Sequence, residues 1–197
     1  MGATQKRITY FDGPGPENTD ETLKLARERA DELGIKEVIV ASTRGDTGVK
    51  ASEIFRGFNL IVVSHATGWR EAGIQEINDD SRKRVEVNGG KVLICPHVFA
   101  GVERAIRDRF GTAYPDEIIA RTLRLFSEGT NIAVEITAMA ADAGLISVDG
   151  DVVAIAGTSK GADTALVIKP ANSKRLFNMK IKEIIAMPAE TKGERIG

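Results

Sequence analysis

The chain has 197 residues, with 27 basic and 28 acidic side chains and a formal charge of -1. Its 42% apolar and 28% charged residues are ordinary for a folded globule and exclude a disordered or collagen-like chain. A pI near 6.2 lacks the basic excess of a nucleic-acid binder, no apolar run approaches the roughly 20 residues that span a bilayer, and the one cysteine, Cys95, permits no internal disulfide.

A cytoplasmic protein that touches neither nucleic acid nor membrane is therefore expected. A globule of this length buries roughly 70% of its extended-chain surface, enough to fold without disulfide or metal. No low-complexity linker divides the chain, so residues 1–197 are expected to form one domain, with a polar tail fraying over residues 190–197. The start leads into a strand-like run and not a signal-peptide core.

The first run, Ile8–Phe11, ends in Asp12–Pro16, whose glycines and prolines cannot continue a strand. Asn18 followed by Glu21 has capping-box spacing, and Leu23, Ala26, Ala30 and Leu33 then share a helical face that Gly34 can close. Lys36–Ser42 is apolar without alternation, as a strand covered on both faces should be. After the loop Thr43–Gly48, Val49, Ala51, Ile54 and Phe55 mark a short helix, and Asn59–Ser64 and Lys91–Cys95 are further strands. The polar stretch 65–90 between them reads as a loop plus a helix beginning near Asp79 or Asp80.

Three helical stripes follow: Phe99, Val102, Ile106 and Phe110; Ile119, Thr122, Leu123 and Phe126; and Ile132, Ile136, Met139, Ala140 and Ala143, stopped by Gly144. Asp151–Gly157 and Thr164–Lys169 are strands joined by a glycine-rich turn, and Ile181–Met187 closes the sheet. Short buried strands alternating with helices imply a parallel sheet covered on both sides.

In such a sheet ligands bind beyond the carboxyl ends of the strands. The loops on that edge hold both histidines, His65 and His97, together with Cys95 and Trp69. The Ser42–Gly48 loop is the best phosphate candidate. Ser42, Thr43 and Thr47 can donate, Gly45 and Gly48 permit close backbone approach, Arg44 offers a charge-assisted bond, and a helix N-terminus follows. The competing account is that Asp46 or Thr47 caps the helix and Arg44 is solvated.

The first loop suits hydroxyls or amides better than anions, because Glu17, Asp20 and Glu21 already complement the helix dipole; capping accounts for Asn18 and Glu21. In the turn Gly157–Thr164, Thr158, Ser159 and Lys160 can form an anion nest, while Gly157 and Gly161 serve the turn itself. Cys95 and His97 lie two apart and can share a strand face. A thiol–imidazole nucleophile is one account, a small buried hydrophobe the other. No spacing resembles a metal motif, so no metal is expected. Glu135 is taken to face water at a helix rim. Trp69 either caps a ligand ring or pins its loop.

The segments Thr22–Ala26, Val38–Thr47, Leu60–Ser64, Gly150–Gly157 and Thr164–Ile168 resemble the C-terminal domain of pyruvate kinase. With Pro16–Thr19 and the Ser42–Thr47 loop, the whole chain is similar to stand-alone archaeal and bacterial proteins built from that domain. The resemblance implies a three-layer α/β/α domain with a mainly parallel five-stranded sheet and a terminal β-hairpin. The kinase's catalytic residues and metals lie in a separate barrel that this chain lacks, so transfer of phosphate from phosphoenolpyruvate is not expected.

In the kinase, the loop matching Thr43–Thr47 holds the phosphates of a sugar bisphosphate effector, and the turn matching Gly157–Thr164 closes over it. Here Arg44, Gly45 and Asp46 replace part of the kinase's Ser-Gly pattern. The stand-alone family also resembles flavin mononucleotide (FMN) proteins, which makes FMN the leading expected ligand, with Ser64, His65 and Trp69 completing its site. Micromolar affinity needs roughly 8 kcal/mol, whereas a helix dipole contributes about 0.3–2 kcal/mol, so a buried ring must supply much of the rest. Trp69, Phe99 and Tyr10 are the aromatics near that edge. The alternative is a sensor of a sugar phosphate or nucleotide without redox chemistry. Apolar faces such as 132–143 would serve a homo-oligomer or the core equally well.

Overall fold

A computed structural model of the chain describes residues 2–190. Seven strands form one sheet: β1 (Thr9–Phe11), β2 (Glu37–Ala41), β3 (Asn59–Ser64), β4 (Lys91–Ile94), β5 (Val152–Ala156), β6 (Thr164–Lys169) and β7 (Lys180–Pro188). Their order is β1-β7-β6-β5-β2-β3-β4, and only β6 runs against its neighbours. The antiparallel step follows from the short Gly157–Asp163 turn, which cannot carry the crossover a parallel neighbour needs. All seven runs legible in the sequence join this sheet, two more than the five that the resemblance implied; the additional pair, β1 and β7, forms one edge.

Among the described residues six α-helices cover it: α1 (Thr19–Leu33), α2 (Asp46–Ile54), α3 (Asp79–Val87), α4 (Val102–Phe110), α5 (Pro115–Arg124) and α6 (Glu128–Asp142). Leu23, Ala26 and Ala30 of α1, Val49 and Ala51 of α2 and Val85 of α3 pack with Val38, Val40, Val62 and Ile155 on one face. Ala133, Ile136, Met139 and Ala140 of α6 pack with Ile39, Ile61, Ala154 and Leu166 on the other. Alternate residues of each strand thus enter opposite cores, which is why these strands read as continuous apolar runs. The 132–143 stripe lies mostly in the core.

Helix ends show where local signals hold and where they fail. Gly34, at φ +67°, donates to Ala30 and Asp31 and ends α1, with Ile35 donating back to Ala30. Asn18 does not cap α1 with its side chain; its Nδ2 donates 2.8 Å to the Gly13 carbonyl and fastens the preceding loop instead. Asn78 and Ser127 do cap, accepting from Ser81 N–H at 2.8 Å and Thr130 N–H at 2.9 Å. The stripe expected over Phe99–Phe110 is divided: Phe99 precedes α4 and is buried, while Val102 and Phe110 are exposed. Of the polar tail, residues 191–197 lie outside the described residues. Among the described residues no helix is long and apolar enough to cross a membrane.

Because each helix returns antiparallel to the strand it precedes, the N-termini of α1, α2 and α6 reach the edge where β1, β2 and β5 end.

Candidate functional site

The register sets Ala41 beside Val63 and Ser64 beside Ile94, so the first residues after β2, β3 and β4 emerge together. Ser42 extends the ladder by one bond, its N–H donating 2.9 Å to Val63. Its Oγ then accepts the N–H of Gly48 at 3.0 Å, occupying one donor of the α2 N-terminus. Gly45 precedes α2 at φ +103°, a conformation that favours glycine. Among the described residues, the N–H groups of Arg44, Gly45, Asp46 and Thr47 have no protein acceptor. Arg44 is exposed and Thr47 is buried.

Beside this loop runs a chain of polar contacts. Ser64 Oγ donates 2.9 Å to the Thr43 carbonyl. Thr43 Oγ1 lies 3.3 Å from His65 Nε2, and His65 Nδ1 lies 2.6 Å from Glu76 Oε2. Arg70 Nε holds the other Glu76 oxygen at 3.1 Å. Gln75 braces the arrangement: its Nε2 donates to the His65 carbonyl at 3.0 Å, and its Oε1 accepts Ile77 N–H at 3.1 Å.

A second carboxylate–imidazole pair lies alongside. His97 Nδ1 is 3.4 Å from Glu135 Oε2, with both side chains only 9% exposed, and Glu135 Oε1 accepts Phe99 N–H at 2.9 Å. His97 Nε2 is buried without a partner. Trp69 packs between these groups, its ring centroid 4.2 Å from that of His97 and 5.3 Å from that of His65. The Arg104 guanidinium sits 4.9 Å from the indole centroid. Trp69 therefore pins its loop and has neighbours across its rings.

One expectation needs correction. Glu135 does not face water: it is 7% exposed and ties α6 to the segment after β4. Cys95 and His97 do not form a couple; no hydrogen bond joins them, His97 faces Glu135, and burial first, then Asp142 and Glu135, push the Cys95 thiol above its ordinary value. A thiol held protonated is a poor nucleophile.

Thr158, Ser159 and Lys160 occupy the β5–β6 turn, which is tied to α1 and not to α2. Ala162 N–H donates 3.0 Å to Thr19 Oγ1, and Gly161, at φ +70°, abuts Pro16. Thr158 N–H donates 3.0 Å to the fully buried Asp163, which also accepts Thr164 Oγ1 at 2.9 Å. Ser159, itself at φ +67°, and Lys160 are exposed. Among the described residues no side-chain hydrogen bond joins Asn18 and this turn to Ser42–Thr47, Ser64, His65 or Trp69. Sequence reasoning missed Gln75, Glu76, Arg104 and Asp163, which carry no local motif.

Over residues 20–168 the sequence matches the family described as pyruvate kinase, alpha/beta domain. The chain belongs to that family. Within this pyruvate kinase alpha/beta domain, the match runs from Asp20 in α1 to Ile168 in β6. It covers the five strands β2 to β6 and leaves β1 and β7 outside, which accounts for the count of five. Both groups of edge residues lie inside the match, except Asn18 and Thr19.

Burial lowers the pKa of His65; its bond to Glu76 opposes this, but with His97 and Arg70 adding repulsion the net shift is below the ordinary value near 6.5. Between that lowered value and about 6.5, the unfolded chain binds a proton that the folded domain refuses. Stability from this group is full above about pH 6.5 and falls as the pH drops through the window. Urea midpoints at pH 5 and 7.5 check this: His65→Gln should flatten the slope, and an unchanged slope assigns it to other groups.

Proposed function

We propose that the domain binds a phosphorylated small molecule at the Ser42–Gly48 loop, with FMN as the leading ligand. The observation carrying this proposal is the run of unpartnered N–H groups from Arg44 to Thr47 at the start of α2, next to an exposed Arg44. N–H groups left without an acceptor at a helix N-terminus can receive an anion, and Arg44 can add a charge-assisted bond.

The residues fit the two ends of FMN unequally. The loop suits its phosphate. A ring would have to displace the exposed Arg104 from Trp69, since Phe99 is buried and Tyr10 lies on β1, the far edge strand. Bound flavin would supply redox chemistry; the chain's part is to hold it. The covered indole favours a second candidate, a sugar phosphate or nucleotide sensed without redox chemistry, for which Thr43 and His65 offer hydrogen bonds.

Calorimetry against FMN, sugar phosphates and nucleotides tests the proposal. A phosphorylated ligand should bind, Arg44→Ala should weaken it at least tenfold, about 1.4 kcal/mol, and Arg104→Ala should strengthen FMN selectively. Affinity unchanged by Arg44→Ala would remove the loop as the phosphate seat. FMN that binds no better to Arg104→Ala than to the parent would remove Trp69 as its ring seat.

A further inference from the structure

The phosphate proposal gives Glu76 no task and the line Thr43–His65–Glu76 no chemistry. Glu76 Oε2 contacts Nδ1 at 2.6 Å, and Nε2 faces Thr43 Oγ1 at 3.3 Å. A carboxylate on Nδ1 keeps the proton there and leaves Nε2 as an acceptor for the threonine hydroxyl. Hydroxyl, imidazole and carboxylate in this order are the parts of a nucleophilic relay, recognised by geometry and not by chain order. We propose that Thr43, His65 and Glu76 form an acyl-transfer centre that hydrolyses small uncharged carboxylic esters, with the N–H groups at the start of α2 receiving the oxyanion.

Three observations support this assignment. The line is held from outside: Ser64 Oγ fixes the Thr43 carbonyl, Gln75 fixes the His65 carbonyl, and Arg70 holds the second Glu76 oxygen. The nucleophile stands where β2 turns into α2, directly before the unpartnered N–H groups of Arg44 to Thr47, so the donors needed for a tetrahedral oxyanion follow the attacking residue in the chain. His65 is 23% exposed at its side chain, open enough for substrate and water, and burial keeps it neutral near pH 7, with Nε2 free to take a proton. An uncharged ester is specified because Glu76 and Glu135 stand close to the imidazoles and oppose an anionic acyl group.

The step balances. Thr43 Oγ bonds to the ester carbonyl carbon as its proton passes to His65 Nε2. The C–O bond to the alcohol then breaks, and the alkoxide takes that proton. Water repeats the sequence on the acyl-threonine, with His65 again as base, releasing a carboxylic acid and restoring Thr43. Glu76 is a positioning residue. This centre goes beyond the phosphate proposal and shares with it the α2 N–H groups, Thr43 and His65, so inorganic phosphate should inhibit competitively.

The test is hydrolysis of p-nitrophenyl acetate, with intact and peptide mass spectrometry of quenched reactions. The parent chain should exceed buffer at least a hundredfold and carry a transient acetyl group on Thr43. Thr43→Val and His65→Gln should each fall at least a hundredfold, while Cys95→Ser remains active. Glu76→Gln should lose at least tenfold and shift the pH profile of kcat/KM, which a purely structural tie would not do. A parent no faster than buffer, a Thr43→Val variant as fast as the parent with an unchanged melting curve, or acetyl found elsewhere would each overturn the proposal. Ligand calorimetry separates the two readings: a Thr43→Val variant that keeps phosphate-ligand binding and loses turnover supports both, and a parent chain that hydrolyses the ester but binds no phosphorylated ligand overturns only the phosphate proposal.

Discussion

Gly45→Val should abolish phosphate-ligand binding and destabilise the domain by roughly 2–6 kcal/mol. Two independent effects add. At φ +103° a β-branched residue is strained, at about 1–3 kcal/mol. A side chain there would also drive into Ser81, with Ile77 Cγ1 3.3 Å from the new Cβ, and overpacking of this kind costs about 1–3 kcal/mol. Relief requires α3 to retreat from α2 or the loop to change its path, and either displaces the N–H groups of Arg44 to Thr47. Urea denaturation and ligand calorimetry read the two consequences, and a midpoint equal to the parent's would show that neither strain nor collision is present.

Phe55→Ala is expected to cost about 3–5 kcal/mol. Phe55 follows α2, is 1% exposed and meets Phe58 edge-to-face at 5.5 Å between centroids. It joins α2 to the core shared with Leu23, Val62 and Val85, so truncation opens a cavity that these strand and helix residues cannot collapse into. For a domain of this size the melting temperature should fall by roughly 6–20 °C. Scanning calorimetry checks it; a fall below 3 °C would mean that α2 repacks. Phe55→Leu should recover most of the loss, because volume is largely kept.

These substitutions act on the two routes by which the chain builds its ligand edge. One is local: a glycine conformation, a strand ending in Ser42, a helix start. The other is the packing that sets α2 against the sheet. The first is legible in the sequence. The second is legible only as an apolar pattern, which says that Phe55 is inside but not what it touches.

Periodicity and punctuation by themselves determined the strands, most of the helices, the parallel three-layer class and the edge on which His65, His97, Trp69 and the Ser42–Gly48 loop emerge. Each depends on neighbours a few residues apart, through side-chain alternation, helical spacing or a glycine at positive φ. Tertiary structure alone decided which polar groups meet. Glu76, in a featureless polar stretch, reaches His65, and Glu135, inside an apolar helix, reaches His97 and Phe99 N–H. Asn18 gave its amide to Gly13 although its spacing suited a cap, and Cys95 and His97, two apart, did not pair. Buried polar groups bond with whichever partner the strand order and loop paths bring within about 3 Å, and that juxtaposition depends on the whole sheet, not on local spacing.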